Sequence, residues 1–251
     1  MDTWGERGYI LHARPWRDTS LLLEVFLREG GRRGVIARGA RGNSRLRARL
    51  QPFRLLWLDL RGRGELAQLR AAEELVSQPR LVGGRVLACG YYLNELLMRL
   101  LPRDAPHPEL FDRYTEALGA LGSGASEAPI LRLFEKQLLE ALGWAPAWDC
   151  CADGTPVEAE RMYHVCPESG VCRAEDGPAT VRGASLLHLA AGRCDDPATA
   201  REIRLILHGL LAPHLGPRPL RSRELLAVAL GVGRTLPHPS AEGSHHREPS
   251  E

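Results

Sequence analysis

Apolar and polar residues alternate in short runs between residues 8 and 76, and this spacing is typical of half-buried β-strands. Glycine-rich turns and Pro15 separate the runs, so we predict five strands with these sequences: GYILHAR, TSLLLEVFL, RGVIARGA, FRLLWLDLRG and GELAQLRAAEELV. Five short strands in about 75 residues are typical of a small closed or partly open barrel, of which the five-stranded OB-fold is the commonest nucleic-acid-binding example.

From about residue 81 the apolar residues follow the period of α-helices. The stretch VLACGYYLNELLMRLL carries leucines three and four residues apart, and a second helix is predicted from Glu109 to Leu121. A third helix begins with Pro129 in its first turn and ends at Gly143. Residues 198–214 predict a fourth, and SRELLAVAL predicts a fifth with Ser222 as its N-cap. The predicted fold class is α+β, an N-terminal OB-fold barrel followed by a C-terminal helical bundle.

Two segments depart from this plan. Residues 148–182 are rich in cysteine, proline and glycine, and they predict a small hairpin from Met162 to Arg173. The segment after Leu230 lacks apolar periodicity, which predicts a disordered tail around His245 and His246. We therefore expect three parts: a barrel domain (1–80), a helical domain with the hairpin insertion (81–230) and the tail (231–251).

The composition is that of a globular protein, with 44% hydrophobic and 25% charged residues. The sequence contains no apolar run of the ~18 residues that a membrane-spanning helix needs. Its opening stretch, MDTWGERGYI, lacks the basic region and apolar run of a secretory signal. We therefore expect a cytoplasmic protein.

Charge is distributed unevenly along the chain, although the overall net charge is only +2. Residues 1–80 contain 16 arginines and 9 acidic residues, whereas the remaining residues contain 17 basic and 22 acidic ones. The densest basic segment is ARGARGNSRLRARLQPF, which has no acidic residue. Its five arginines are Arg38, Arg41, Arg45, Arg47 and Arg49. This segregation predicts that the first part of the chain has a polyanionic partner.

The position of the basic segment, between predicted strands of a small barrel, favours binding over mere solubility. In such barrels the loops between strands commonly contact single-stranded nucleic acid. Arginine pairs with phosphate through two parallel hydrogen bonds and also stacks on bases. Phe53 and Trp57 are aromatic candidates for stacking, but both lie in an alternating apolar segment, so we predict that they pack in the core.

The sequence offers little evidence for catalysis. Lys136 is the only lysine, and the glycines of a nucleotide-binding P-loop do not precede it. No HExxH, GxSxG or convincing GxGxxG motif is present, and the acidic residues are not paired in an apolar setting. We therefore expect a protein that binds rather than an enzyme, with no nucleotide, cofactor or metal.

Four clustered cysteines, Cys150, Cys151, Cys166 and Cys172, raise a different hypothesis. Zinc requires four tetrahedral ligands, usually supplied as two C-x₂₋₄-C pairs, but here the spacing is C-C followed by C-x₅-C. Adjacent cysteines in an extended chain point to opposite faces. Buried thiols are therefore the better explanation, and a zinc-stabilised scaffold or zinc enzyme remains the alternative function.

The residues also resemble a known family. GYILHARPWRDTSLLLEVFLREGGRRGVIARGARGNSRLRARLQPF is similar to the opening of RecO, the bacterial recombination mediator. Three later segments match as well: YYLNELLMRLL, LRLFEKQLLEALGW and LGPRPLRSRELL. The similarity extends from about residue 7 to about residue 230, and the order and spacing of these segments carry it more than any one motif.

The resemblance implies an OB-fold and a helical domain, with a function in the RecF pathway of DNA repair. It implies binding of single- and double-stranded DNA, annealing of complementary strands and partnership with RecR. It also implies binding of the acidic C-terminal tail of single-stranded-DNA-binding protein, so that recombinase loads on covered DNA. Arg132 lies in the helix that matches the family's tail-binding region, so the resemblance makes it the candidate for pairing with the tail's carboxylates, and the alternative is an exposed helix residue. The two-knuckle zinc pattern of many family members is missing.

Arginines outside the basic segment could extend the binding surface. Arg14 and Arg17 lie in the ARPWRDTS turn, where Asp18 could instead pair with one of them. We expect the DNA-binding residues to be these two and the five of the basic segment, in a cytoplasmic, nucleoid-associated protein. Binding of structured RNA is a further alternative, because nothing in the sequence reports on recognition of a 2′-hydroxyl group.

Overall fold

The computed structural model of the chain describes residues 3–62, 64–75, 80–174, 180–194 and 197–229. The first part is a closed five-stranded barrel with the strand order β1-β2-β3-β5-β4. The strands are β1 (Thr3–Trp16), β2 (Ser20–Leu27), β3 (Gly31–Ala37), β4 (Leu56–Arg61) and β5 (Leu66–Glu74). The predicted barrel and its five strands are confirmed.

The register of the barrel follows from the alternation of its side chains. Antiparallel pairs join β1 to β2, β2 to β3, β4 to β5 and β1 to β4, and a parallel pair between β3 and β5 closes the barrel. Pro15, predicted to end the first strand, instead lies inside β1 and pairs with Leu21. A proline is tolerated there because the strand ends one residue later and little pairing is lost.

The basic segment contains a short helix that the alternation did not predict, α1 (Ser44–Arg49). Its N-cap is Asn43, whose Oδ1 accepts a hydrogen bond of 3.0 Å from the backbone N–H of Leu46. Leu46 and Leu50 are four residues apart, so they share a face and pack on the core of the barrel. The helix therefore covers one end of the barrel and leaves its arginines outside.

The second part of the chain is mostly helical, as predicted. The helices are α2 (Gly84–Leu100), α3 (Pro108–Gly122), α4 (Glu127–Ala141), α5 (Gly183–Ala190), α6 (Pro197–Leu215) and α7 (Arg221–Ala229). The predicted hairpin is confirmed, and it forms two strands of a small three-stranded sheet. The hairpin strands are β6 (Met162–Cys166) and β7 (Gly170–Ala174), and the third strand of the sheet is β8 (Val181–Arg182). Helix α5 was not predicted, and the predicted disordered tail with His245 and His246 lies outside the described residues.

Helix ends follow the sequence signals only in part. Pro129 lies in the first turn of α4, and Gly143 follows its C-terminus with a φ of +72°, a conformation that suits glycine.

Within the described ranges, every helix is too short or too polar to cross a lipid bilayer.

The barrel interior and the helical part have separate hydrophobic cores, and β1 contributes side chains to both. In β1, Ile10 points into the barrel, whereas Tyr9 and Leu11 point outwards and pack among the helices. The ring centroid of Tyr9 lies 5.0 Å from that of Tyr114 and 5.4 Å from that of Phe111, both on α3. The centre of β1 is therefore buried on both faces, which fixes the barrel against the helical part.

Polar contacts anchor the β2–β3 end of the barrel to α3 and the loop before it. Arg28 donates to both carboxylate oxygens of Asp112, at 3.0 and 2.8 Å, and its guanidinium lowers the pKa of Asp112. Gly31 has a φ of +68°, and a Cβ atom there would lie 2.1 Å from the carbonyl oxygen of Ala105. Only glycine permits this close approach.

A carboxylate from α2 begins the last helix. Glu95 accepts hydrogen bonds from the backbone N–H groups of Arg221 and Ser222, at 3.1 and 2.9 Å, and from the Ser222 hydroxyl at 2.7 Å. The prediction that Ser222 caps α7 is therefore wrong, because its side chain donates to Glu95. Burial, the largest influence, raises the pKa of Glu95, but these hydrogen bonds and the charge of Arg99 outweigh it, so the pKa is lowered.

We predict that this cap makes stability depend on pH. Replacing Glu95→Gln is expected to cost about 1 kcal/mol of unfolding free energy near neutral pH, as for other lost N-caps. Because the pKa of Glu95 is lower in the folded chain, its contribution is complete above the unfolded value of about 4.3 and disappears as pH falls through the folded value. Urea unfolding of both proteins across this range measures the difference. A gap that stayed constant down to the lowest pH would contradict the role of the carboxylate.

Candidate nucleic-acid interface and a basic pocket

The arginines predicted to bind DNA lie at one end of the barrel, where the β1–β2 turn meets the segment from β3 to α1. All seven are exposed: Arg14, Arg17, Arg38, Arg41, Arg45, Arg47 and Arg49. The sequence produces this arrangement because Ala40, Leu46 and Leu50 face the barrel core, and the residues between them must then face solvent. We name these seven residues the barrel arginines.

Hydrogen bonds to backbone carbonyl groups hold parts of this surface in place. Arg41 donates to the carbonyl oxygens of Arg17 and Asp18, at 3.1 and 2.9 Å, and so joins the β1–β2 turn to the basic segment. Arg49 donates to the carbonyl oxygen of Ala72 at 3.3 Å. These bonds use neutral acceptors, so the positive charge of each guanidinium remains unneutralised.

The barrel arginines differ from their neighbours in charge pairing. Among the residues that the structure describes, none of the seven forms an ion pair with a carboxylate. In contrast, Arg32 pairs with Glu24, Arg33 pairs with Asp104 of the helical part, and Arg54 pairs with Glu74. The arginines of the barrel therefore include one group that is ion-paired and a second group, the barrel arginines, that has no carboxylate partner among the described residues.

A groove on the outer face of β3 and β5 adjoins the barrel arginines. It has a volume of about 350 Å³. Arg38 borders it, together with Arg61, Gln68 and the aliphatic side chains of Ile36 and Leu66. The groove thus combines positive charge, an amide and exposed aliphatic surface, which are the chemical groups that contact phosphates and bases.

A second basic site lies in the helical part, about 660 Å³ in volume, between α2, α4, α6 and α7. Its wall is apolar at Cys89, Leu131 and Leu226. Burial raises the pKa of the Cys89 thiol to about 11, so this thiol is neutral at physiological pH. Five arginines line the site: Arg85, Arg132, Arg201, Arg204 and Arg223. We name this site the arginine pocket.

The arginines of the pocket are of two kinds. Arg201, Arg204 and Arg223 are exposed and, within the described ranges, have no carboxylate in an ion pair, whereas Arg85 pairs with Glu127 at 3.1 Å. Arg132 is only 5% exposed, and its Nη2 donates to Glu135 at 2.6 Å. An apolar wall with an open cationic rim suits a peptide that carries both carboxylates and an apolar side chain.

Family models match nearly all of the described chain. The model described as Recombination protein O N terminal matches residues 1–77, and the model described as Recombination protein O C terminal matches residues 84–224. The chain belongs to the RecO family. The resemblance seen in the sequence is thereby confirmed, and the boundary between the two matches falls between the barrel and α2.

Curated relatives agree with this assignment. The DNA repair protein RecO of Xanthomonas campestris pv. campestris strain B100 is 44% identical over 229 residues, which cover 88% of this chain and 95% of the relative. The DNA repair protein RecO of Stenotrophomonas maltophilia strain R551-3 is 46% identical over the same shares of the two chains. This RecO chain is therefore a DNA repair protein with an OB-type barrel and a helical C-terminal part.

Both aromatic candidates are now located in the RecO chain. Phe53 is partly buried against the helical core, and its ring meets that of Tyr91 edge to face at 5.1 Å, which confirms that it packs. The prediction that Trp57 packs in the core is wrong, because it is 40% exposed. In β4 the leucines at positions 56, 58 and 60 point inwards, so Trp57 points outwards and its Nε1 donates to Asp59 at 3.0 Å.

Other expectations about single residues need correction. Asp18 forms no ion pair with Arg14 or Arg17 within the described ranges; it contributes its backbone carbonyl to Arg41 instead. The alternative that Arg132 is an exposed helix residue is wrong, because Arg132 is buried in the pocket wall beside Glu135; its contact with a partner's tail stays a prediction. Sequence reasoning missed the three open arginines on α6 and α7. Their helical spacing was visible in the sequence, but their approach to α2 and α4 was not.

The four clustered cysteines of this RecO chain lie in and around the small sheet. Cys166 and Cys172 are strand residues of β6 and β7, as the predicted hairpin requires. Cys151 is buried, and the backbone of its neighbour Cys150 forms an isolated antiparallel β-bridge with that of Pro156. Among the described residues, no three histidine, cysteine or acidic side chains are grouped so that they could hold a metal ion.

We predict that stability does not depend on metal. Dialysis of the purified protein against EDTA is expected to leave Tm unchanged, because the four clustered cysteines are free and no metal-binding group forms among the described residues. Thermal unfolding with and without chelator, combined with elemental analysis, provides the measurement. One zinc per chain that is lost together with folding would contradict this prediction and support the zinc-stabilised alternative.

Proposed function

We propose that this RecO chain is a non-catalytic mediator of recombinational DNA repair. It binds single- and double-stranded DNA through the barrel arginines and anneals complementary strands. The observation that carries this proposal is the exposure of seven arginines without carboxylate partners at one end of the barrel, within the described ranges. Family membership supports the same process, because the curated relatives are named as DNA repair proteins.

The proposed mechanism of annealing is electrostatic. Two complementary strands repel each other through their phosphates, and a cationic surface lowers this repulsion while the bases remain free to pair. Each phosphate that an arginine neutralises releases condensed counterions, so binding weakens with salt by a log–log slope of about −0.7 per contact on single strands. This mechanism consumes no nucleotide and needs no catalytic group. We place the first DNA contacts at Arg38 and at Arg45 and Arg47 of α1.

We assign the arginine pocket to a protein partner. Its open arginines and apolar wall suit the acidic C-terminal tail of single-stranded-DNA-binding protein, as the family resemblance implied. Arg201, Arg204 and Arg223 would pair with carboxylates of the tail at the rim, and Arg132 would contribute from the wall. Pairing of this kind brings the mediator to covered DNA and leaves the barrel arginines free for the strand.

This division of work assigns DNA binding to residues 1–80 and partner binding to residues 81–230. Partnership with RecR and loading of recombinase in the RecF pathway complete the proposal, together with action at the nucleoid in the cytoplasm. We propose no specific surface for RecR.

We predict that the barrel arginines set DNA affinity. The variant R38A/R45A/R47A omits Arg41, whose hydrogen bonds to the β1–β2 turn have a structural role. Loss of three phosphate contacts is expected to reduce single-strand affinity and to flatten the log–log salt slope by about 2. Fluorescence anisotropy with labelled oligonucleotides at several salt concentrations measures both quantities, and strand annealing should slow in parallel.

The control for this experiment is R161A/R182A/R193A, which removes three exposed arginines from the helical part of the chain. Its affinity and salt slope are expected to stay near those of the wild type. Equal losses in both variants would show that only net charge matters, and unchanged affinity in the folded barrel variant would remove the main support for the proposal. An RNA strand of the same sequence tests the RNA alternative.

We predict that the rim of the arginine pocket binds the partner's tail. R204A/R223A is expected to weaken binding of a labelled tail peptide at least about tenfold, since each lost charge-assisted hydrogen bond is worth about 1.5–3 kcal/mol. DNA affinity should not change. R218A/R221A is the control, because it removes two exposed arginines that do not line the pocket. Equal weakening by both pairs would contradict the assignment of the pocket.

A further inference from the structure

Behind the wall of the arginine pocket lies the buried carboxylate that pairs with Arg132. Glu135 of α4 is 0% exposed. Its Oε1 accepts hydrogen bonds of 2.6 Å from the Tyr92 hydroxyl and 2.6 Å from Arg132 Nη2, and it lies 3.7 Å from His208 Nε2. These three partners line the pocket, whereas Glu135 does not. It therefore joins residues of α2, α4 and α6 from behind.

A buried negative charge is unexpected next to a site that attracts anions. Taken alone, Glu135 opposes the binding of an acidic peptide, because its charge has the same sign as the ligand. Its burial without a partner would also be costly, and Arg132 is the cation that compensates it. The neighbouring Lys136 does not neutralise Glu135, since its Nζ forms an ion pair with Glu140 at 2.8 Å. Arg132 is therefore the cation that pairs with Glu135.

The pair leaves part of the Arg132 guanidinium unused. Arg132 Nε is buried and has no hydrogen-bond partner, and the same holds for Glu135 Oε2 and His208 Nε2. The hydroxyl of Tyr92 stays protonated and fixes Glu135, because burial and the nearby charge of Glu135 raise its pKa well above the usual range. A guanidinium held at Nη2 has lost its rotational freedom before any ligand arrives, which reduces the entropy cost of binding.

We propose that Glu135, fixed by Tyr92, is a positioning residue that holds Arg132 in the binding orientation within the arginine pocket. This inference rests on the proposed function of the pocket as the site for an acidic peptide. The positioning role and simple charge repulsion predict opposite effects on peptide affinity. If Glu135 only repelled the acidic peptide, removing its charge would tighten binding. If Glu135 positions Arg132, removing its charge weakens binding.

The substitution Glu135→Gln tests this difference in the full chain. It keeps the size of the side chain and removes its charge, and we expect the labelled tail peptide to bind about tenfold more weakly, as for loss of one charge-assisted hydrogen bond. In an R132Q background the same substitution should have almost no further effect, because Glu135 acts through Arg132. Unchanged or tighter binding by folded E135Q overturns the inference, as does an equal loss in the R132Q background.

Two further variants guard against trivial explanations. Glu140→Gln removes an ion-paired carboxylate from the same helix, outside the pocket lining, and should leave peptide affinity unchanged. If E135Q fails to fold, Tyr92→Phe replaces it, because it removes only the hydrogen bond that fixes Glu135. Weaker peptide binding by Y92F with normal DNA binding supports the inference, and unchanged peptide binding overturns it.

A measurement without ligand separates this inference from the proposed function. The ¹⁵Nε–¹Hε signal of Arg132, assigned by its loss in R132K, should show a rigid side chain in the wild type. It should show order parameters below about 0.6 in E135Q, or in Y92F if that variant replaces it. Equal mobility in both proteins overturns the positioning role. A rigid Arg132 in a wild-type protein that fails to bind the tail peptide keeps the positioning role and refutes the partner assignment.

Discussion

Burial of the outer face of β1 beneath the helices is the constraint on which the rest of this structure depends. A strand that packs on both faces cannot move relative to either core, so the rings of Tyr9, Phe26, Phe111 and Tyr114 fix the barrel on α3. The β2–β3 end of the barrel then lies against the helical part, and the β1–β2 turn at the opposite end of β2 is exposed to solvent. An eight-residue strand of about 27 Å separates the two ends.

This separation explains why arginines close together in the sequence have different roles. Arg32 and Arg33 lie at the anchored end, where each forms an ion pair with a carboxylate of a neighbouring element. Arg32 also donates a hydrogen bond to a backbone carbonyl oxygen. Arg38 and the arginines of α1 lie at the open end, where the described residues offer them no carboxylate. Position along a strand, and not residue type, therefore decides which charges stabilise the fold and which are available to a polyanion.

Much of the fold could be read from the sequence because periodicity is a local property. The five strands, the helices over most of the second part and the hairpin all followed from it. Contacts between distant segments could not be read in this way. Trp57 was assigned to the core because its segment is apolar, but the register of β4 turned it outwards. Arg201 and Arg223 gave no local sign of sharing a pocket, since four helices must pack before it exists.

The way that α1 covers the barrel has a consequence for how the basic surface can vary. Leu46 of α1 and Leu50 at its C-cap contact the barrel core, and Asn43 sets the start of the helix. The outward side chains of Arg45 and Arg47 do not belong to the barrel core, so the fold tolerates other residues at these two positions. Natural or engineered chains can therefore gain or lose positive charge here, and adapt to a different cellular ionic strength, while the architecture beneath stays unchanged.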